Sequence, residues 1–569
     1  MKYIGHSWGN QNDGILFFVQ RLQEMLFHYS DDIVKAPVHN SATLIMEYLI
    51  TDKDVSVQKY HLDYIAEELK DSLERDSIAK SCLGTDNINR IISEMKNDQG
   101  NLIKYLYSSL PFEVYHKKTC LYLLEKTNNP NQKEEIEYAL RTWIASVVYG
   151  GYRSEYIYRH LNKLFAEVVG NPYEVAENFI NHFDFEKKEY AVYLNFYKSV
   201  KPYKDLLSQR LEVIFEDDGN FEKIGNTKYK NESFVGKIIV KELDPYEAIS
   251  EAYQRLDIFF SFYRVISNRG TQLLGKNGLV ICDAEEMKLP VVTNGYKAIE
   301  LEPRINLEST IDNMVIGCQK KDIHTYYHLQ KMIRLHNMAL IQPDLSDGFV
   351  NLWSILEVAS SDASLDSKIK NVVHSILPIL QNDYYYKIFS SILDDLSNNL
   401  SKADMRMLFE KVKEGKDDRL HKIIAFIVLP QYEKLREEFF EKLRDFPNIR
   451  QKIYKIYITK DNKNKMIKIS DTYAQRIEWH LYRLYRVRNA IVHAGDTDRN
   501  IRVLGEHLHI YCDSVIIELI TKLASNDNLS TVKDVLIDTK LLLGKKKEYL
   551  KEGGAFVDED ISHLRKEYS

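Results

Sequence analysis

Apolar residues recur at steps of three and four through the first third of the chain, the spacing of a helix that buries one face. ILFFVQRLQEMLFHY, HLDYIAEELKDSL, NLIKYLYSSL, EEIEYALRTWIASVVYG and SEYIYRHLNKLFAEVV all show it. Residues 1–177 are therefore expected to form a helical N-terminal region, with Ser154 capping the last of these helices. Around Asn181 the period changes. EYAVYLNFYKSV, GKIIVKEL, GLVICDAEEM and KAIELEP are rich in β-branched and aromatic residues and read as strands, with one long helix, PYEAISEAYQRLDIFFSFYRVISN, among them. Residues 178–325 are expected to be an α+β sensing or binding module. From Thr325 the helical spacing returns. TYYHLQKMIRLHNMALI reads as a connecting helix, and Pro343 with Asp347-Gly348 as a break. FVNLWSILEVAS, NVVHSILPIL, YYYKIFSSILDDL, ADMRMLFEKVKE, HKIIAFIVL and QYEKLREEFFEKL read as further helices. KIYKIYIT and MIKIS flank a polar KDNKNK and read as a hairpin inserted near 450–470, and residues 526–569 as a C-terminal extension. The predicted fold class is mainly α and multidomain.

Composition narrows the function classes. A chain of 569 residues that is 44% hydrophobic can bury several cores, and a net charge of −6 excludes a uniformly basic nucleic-acid coat. The five cysteines, Cys82, Cys120, Cys282, Cys318 and Cys512, have no paired or metal-ligand spacing, which suits a reducing cytoplasm and argues against a zinc site. MKYIGHSWGNQNDG has no apolar signal core and no run of 18 apolar residues occurs, so no membrane partner is expected. His6, His28 and His39 have no matching ligands nearby in sequence. Gly150-Gly151 lacks the Lys-Ser/Thr of a phosphate loop, and Asp244, Asp257 and Asp283 fall on different elements.

Charge is unevenly spread. Between Arg450 and Arg488 stand eleven Arg or Lys against Asp461, Asp471 and Glu478, a segment of +8 that leaves −14 for everything else. Lys463, Lys465, Lys468 and Arg483, with Tyr454, Tyr457 and Tyr473 interleaved, are candidates to steer and hold an RNA strand. The structural alternative is a solvated edge hairpin whose lysines deter aggregation.

That segment ends in RIEWHLYRLYRVRNAIVHAG, Arg476 to Gly495. Ile477, Leu481, Leu484 and Ile491 lie on one helical face, and Arg488 fills the step between the last two. A permanent cation in an apolar stripe needs a carboxylate partner, or a cleft or seam where an anion binds. Asn489 and His493, four apart, share a neighbouring face, and Gly495 suits the position after a helix end. Arg can hold two phosphate oxygens, His can move a proton near neutrality, and Asn can orient either. The spacing alone is loose, since Arg153 to His160 and Arg502 to His507 also satisfy it. His493, Asp496 and Asp498 are better explained by a polar turn than by a metal.

RNAIVHAG after an aromatic, Arg-rich helix resembles the HEPN superfamily, specifically the Apea-like HEPN domains of bacterial defence proteins. Arg488, Asn489 and His493 match the family's Arg, following polar residue and His. HLHIYCDSVIIELI is similar to the family's last core helix. Phe349 to Ser360, with Trp353 and Glu357, is similar to its first. The resemblance covers about residues 340–525 and does not extend to residues 1–330. It implies a helical bundle and a metal-independent endoribonuclease without cofactor, with His493 as general acid/base, Arg488 as phosphate ligand and Asn489 as the orienting residue. Arg486, two turns before His493, and Glu357, as a partner for Arg488, are the supporting candidates. It also implies a homodimer or larger even assembly with a composite cleft, RNA as substrate, and antiphage defence with a phage-derived trigger acting on the N-terminal region. A non-catalytic HEPN-like dimerisation or RNA-binding scaffold is the alternative.

Overall fold

Helical spacing becomes helix nearly throughout, and the starts are set by short polar side chains. Asp76, Asp322, Asp344, Ser367, Ser401, Asp418 and Thr531 each accept a backbone N–H from the first turn that follows. In this computed structural model the described residues are 1–5, 12–27, 39–53, 59–168, 170–216, 233–267, 273–283, 285–291, 311–312, 318, 321–342, 344–361, 365–495, 498 and 500–565. They are mainly helical, with one small antiparallel sheet. Besides the helices expected in the N-terminal region, Ser41–Lys53, Ser77–Leu83, Thr85–Glu94, Phe112–Thr127 and Pro172–Asn181 are also helical. Ser154 is the first residue of its helix and not its cap.

Two compact units result. One joins Met1–Ser146, Phe165–Glu177 and Gly295–Ser569; the other comprises Val147–Leu164 and Asn178–Asn294. The division therefore does not follow the expected boundary at 177. The start and the end of the chain fold together, and the Ser154–Phe165 helix lies largely in the second unit.

The main core of the first unit draws fully buried side chains from successive helices: Leu352, Trp353 and Leu356, then Ile376, Phe389, Ile423, Leu481 and Leu484, Leu508 and Val515, and Val535 and Leu550. Each such side chain contributes about 1.5–3 kcal/mol of burial. Residues after 525 are part of this core, since Ile561 and Leu564 are also buried in it. Asp347 and Gly348, expected as a break, lie inside the Leu345–Ala359 helix, which Asp344 caps.

The hairpin expected near 450–470 does not form. Pro447–Tyr457 and Asn464–Asn489 are helices joined by a short turn. Ile449, Ile453 and Ile456 are buried at helical spacing, and so are Met466, Ile467 and Ser470. The residues between these apolar positions misled by alternating locally, whereas the three-and-four period extends across both segments.

Among its described residues the second unit holds a five-stranded antiparallel sheet: β1 (Lys188–Tyr197), β2 (Ile214–Glu216), β3 (Ser233–Glu242), β4 (Leu274–Cys282) and β5 (Glu285–Pro290), in the order β2-β3-β1-β4-β5. β1 pairs with β3 from Lys188 opposite Glu242 to Tyr197 opposite Ser233. Tyr190, Val192, Leu194 and Phe196 alternate toward Ala248, Ala252, Leu256 and Phe260 of the Pro245–Ser267 helix. Asp244 starts that helix by accepting the N–H groups of Tyr246 and Glu247. KAIELEP, His6, His28 and Asp496 lie outside the described residues.

Candidate functional site

The Asn464–Asn489 helix buries Ile477, Leu481 and Leu484, and it ends in an unusual way. Ala490–Ala494 form a π turn, closed by the Gly495 N–H on the carbonyls of Ala490 and Ile491. Gly495 takes φ 66°, in the left-handed region that glycine occupies without a Cβ penalty. A turn closed over five residues advances less per residue than one closed over four. The step from Arg488 to His493 therefore turns through less than the five-residue step of a regular helix, which leaves two such side chains about 140° apart. π turns concentrate at functional sites. Val492 and His493 are exposed, while Arg488 and Asn489 are half-buried.

Arg488 is only loosely held. Its Nη1 donates to Asn489 Oδ1 at 3.1 Å, and its Nη2 stands 3.7 Å from Glu357 Oε1, an ion pair too long for a hydrogen bond. Glu357 spends Oε1 on the Trp353 indole, which donates at 3.0 Å. Trp353 is fully buried and lies 5.6 Å, ring to ring, from Tyr485, so the carboxylate is anchored to the core while Arg488 reaches it from the side. The guanidinium thus keeps donor capacity for an anion.

Arg483 and Arg486 are placed otherwise. Arg483 Nε donates to both oxygens of Glu47, at 3.0 and 3.2 Å, and its Nη2 donates to Glu47 Oε2 at 2.9 Å and to Glu68 Oε2 at 2.5 Å. Arg486 Nη2 donates to Glu47 Oε1 at 2.5 Å. Burial works against the Glu47 charge, but the two arginines overcome it and hold its carboxyl well below the ordinary carboxylate range. His39 lies against Glu47, and burial followed by the Arg483 cation pushes its imidazole down to about 3. Arg486 is therefore committed to a buried pair, and as placed it is not an alternative phosphate ligand.

The basic segment is largely neutralised from within. Arg450 pairs with Asp13, Lys452 with Glu24 and Asp395, Lys455 with Glu137, and Lys463 with the buried Asp560. Of the residues expected to hold RNA, Lys463 and Arg483 are buried in these pairs, and only Lys465 and Lys468 stand on the surface. Tyr473 is buried and stacked on Tyr384, Tyr457 donates to Glu433, and Tyr454 is exposed. Asp498 accepts the Asn500 N–H at 2.7 Å, the role of a turn residue.

Two features lay beyond reading along the chain. One is the partnership of N-terminal acids with the motif helix, across more than 400 residues. The other is a cluster of His336, His509 and Asp513, whose ligand atoms all lie within 4.8 Å of one another. Its His-x-x-x-Asp half was visible as an i, i+4 pair; nothing in the sequence tied His336 to it. Among the described residues no helix is long and apolar enough to cross a membrane. No family model matches the chain, and neither a curated protein nor a solved structure is detectably similar to it.

Proposed function

We propose that the protein is a HEPN-type, metal-independent endoribonuclease whose site is the Arg488–Asn489–His493 turn. The observation that carries this reading is the contrast at that turn. An exposed imidazole in the π turn and an under-satisfied guanidinium in the last helical turn before it stand close along the chain, while the neighbouring arginines are locked in buried pairs. In the reaction, the ribose 2′-OH loses its proton and attacks the adjacent phosphorus, and the 5′-oxygen leaves with a proton. The products are a 2′,3′-cyclic phosphate and a 5′-OH, so atoms and charge balance without water or metal. His493 moves the proton. Arg488 swings from Glu357 to the phosphate and offsets the charge that builds in the transition state. Asn489, already bonded to Arg488, orients it. One turn supplies one Arg and one His, so two copies facing each other would complete a cleft, and the exposed Val492 and His493 suit such a seam. The biological setting proposed is antiphage defence, with growth halted by RNA cleavage after a phage-derived trigger acts on the protein.

The test is cleavage of a mixed tRNA and mRNA pool in EDTA, wild type against His493→Ala, with end-group analysis and circular dichroism in the same buffer. The expected result is cyclic-phosphate ends from the wild type alone. Equal products from both proteins, including material purified from phage-infected cells, would reject the assignment. A second reading, a non-catalytic dimerisation or RNA-binding scaffold, is favoured by the pairing of Arg488 with Glu357. Indifference to His493→Ala would select it.

A further inference from the structure

We infer that His336, His509 and Asp513 form a binding site for one divalent transition-metal ion of the zinc class, which ties the Ile323–Ile341 helix to the Ile501–Ser525 helix. His509 and Asp513 are one turn apart on the same face of their helix, and His336 reaches them from the other helix. His336 Nε2 stands 2.7 Å from Asp513 Oδ1 and 2.9 Å from His509 Nε2, and His509 Nε2 stands 3.6 Å from the same carboxylate oxygen.

As a hydrogen-bond set, this arrangement is oversubscribed. An imidazole nitrogen has a single in-plane position, filled by either a hydrogen or a lone pair. If His336 Nε2 donates to Asp513, it turns its one N–H toward the carboxylate and meets His509 at 2.9 Å only by splitting that hydrogen between two poorly aligned acceptors. If it accepts from His509, it turns a lone pair toward a carboxylate oxygen at 2.7 Å. A cation removes the conflict, because all three atoms then present lone pairs to one centre.

The donor separations of 2.7, 2.9 and 3.6 Å lie on either side of the ~3.3 Å edge of a tetrahedral zinc site, so the side chains adjust by about half an ångström to take the ion. A point about 1.8 Å from all three donor atoms lies in their plane, so an ion at the ~2.0–2.1 Å of a zinc–imidazole bond sits just to one side of it. Two neutral imidazoles and one carboxylate are a ligand set zinc uses, and a fourth position remains for water. His509 is 1% exposed, whereas His336 and Asp513 are 22% and 24% exposed, so the site is anchored on the inside and open at its rim. The ion bridges two helices whose residues Met332, Leu508 and Val515 belong to one core. Its role is therefore a cross-link, and it does not rest on the ribonuclease reading.

The experiment is a titration of the untagged, chelator-treated full-length chain with Co²⁺, read by its visible ligand-field absorption, followed by displacement with Zn²⁺. His336→Gln and Asp513→Asn are compared, since both rim positions tolerate a polar replacement; metal-free melting curves of all three proteins control for folding. One equivalent of Co²⁺ is expected in the wild type, with affinity reduced at least about 100-fold in each variant. Zn²⁺ should raise the wild-type melting temperature and leave those of the variants unchanged. Uptake that is absent from the wild type, or equal in the wild type and a folded variant, overturns the assignment.

Discussion

Arg483 and Arg488 are five residues apart on one helix, carry the same charge, and live in opposite conditions. The Arg483 side chain is 5% exposed and is saturated by two carboxylates, whereas that of Arg488 is 18% exposed and meets its carboxylate only at 3.7 Å. Both are cations withdrawn from solvent on the same helix, so a buried cation is not by itself a sign of chemistry. What separates them is how much donor capacity the fold has already consumed. The Glu47 and Glu68 carboxylates turn the Arg483–Arg486 stretch into a structural joint between the motif helix and the helices Ser41–Lys53 and Lys59–Arg75. Beyond that joint the helix loosens into the π turn, and capacity remains. The joint also ties the helices Ser41–Lys53 and Lys59–Arg75 to the motif helix at Arg486, two turns before His493.

Breaking the joint should have the largest effect. Glu47→Ala leaves Arg483 and Arg486 buried with Glu68 alone, and should cost about 3–5 kcal/mol of stability, measured by denaturant unfolding. A loss below about 1 kcal/mol would mean that the pairs are effectively solvated and the contrast with Arg488 is false. Next, His493→Ala should lower RNA cleavage by about 10²–10⁴-fold while stability stays within about 0.5 kcal/mol of wild type, because the imidazole is exposed.

A pH series sharpens the same comparison. His39 has its folded pKa depressed from 6.5 to about 3, so between those values the unfolded chain binds the proton and the folded chain does not. Stability is therefore fully present above pH 6.5 and is lost as the pH falls toward 3. His39→Gln should flatten the upper part of that slope in unfolding experiments from pH 7 to pH 5. An unchanged slope would assign the acid sensitivity to other groups. The smallest effect is expected at Glu357. Glu357→Gln keeps an acceptor for Trp353 and removes the charge facing Arg488. It should change stability by less than about 1 kcal/mol and tighten binding of a non-cleavable 2′-deoxy substrate analogue about two- to fivefold. Weaker binding would show that Glu357 positions Arg488 for the phosphate and does not compete with it.

Much of the fold was legible because burial leaves a period. The helices at Asp13–Leu26, Lys133–Tyr149 and Pro245–Ser267 follow from apolar spacing, and β1 and β3 from runs of β-branched and aromatic residues, whereas GLVICDAEEM, expected as one strand, is divided between the antiparallel pair β4 and β5. The helix through KIYKIYIT was missed because a short alternating stretch reads equally well as a strand, and only packing of Ile453 and Ile456 decides it. At the candidate site, Arg488, Asn489, His493 and the Trp353–Glu357 pair were all visible as residues. The RNA-holding roles given to Lys463 and Arg483 failed because their partners, Asp560 and Glu47, are about 100 and more than 400 residues away.

The sequence by itself determined which apolar faces are buried, where many of the helices run, and that Arg488 needs an explanation. These are local quantities, written in periodicity and in the chemistry of single side chains. Only the tertiary structure decided which charges are spent and which remain available. It joined the N-terminal acids to the basic segment, opened the last turn of the motif helix around His493, and brought His336 to His509 and Asp513. The physical reason is that a charge is defined by its partners and its solvent, and folding chooses both from positions that no window along the chain can contain.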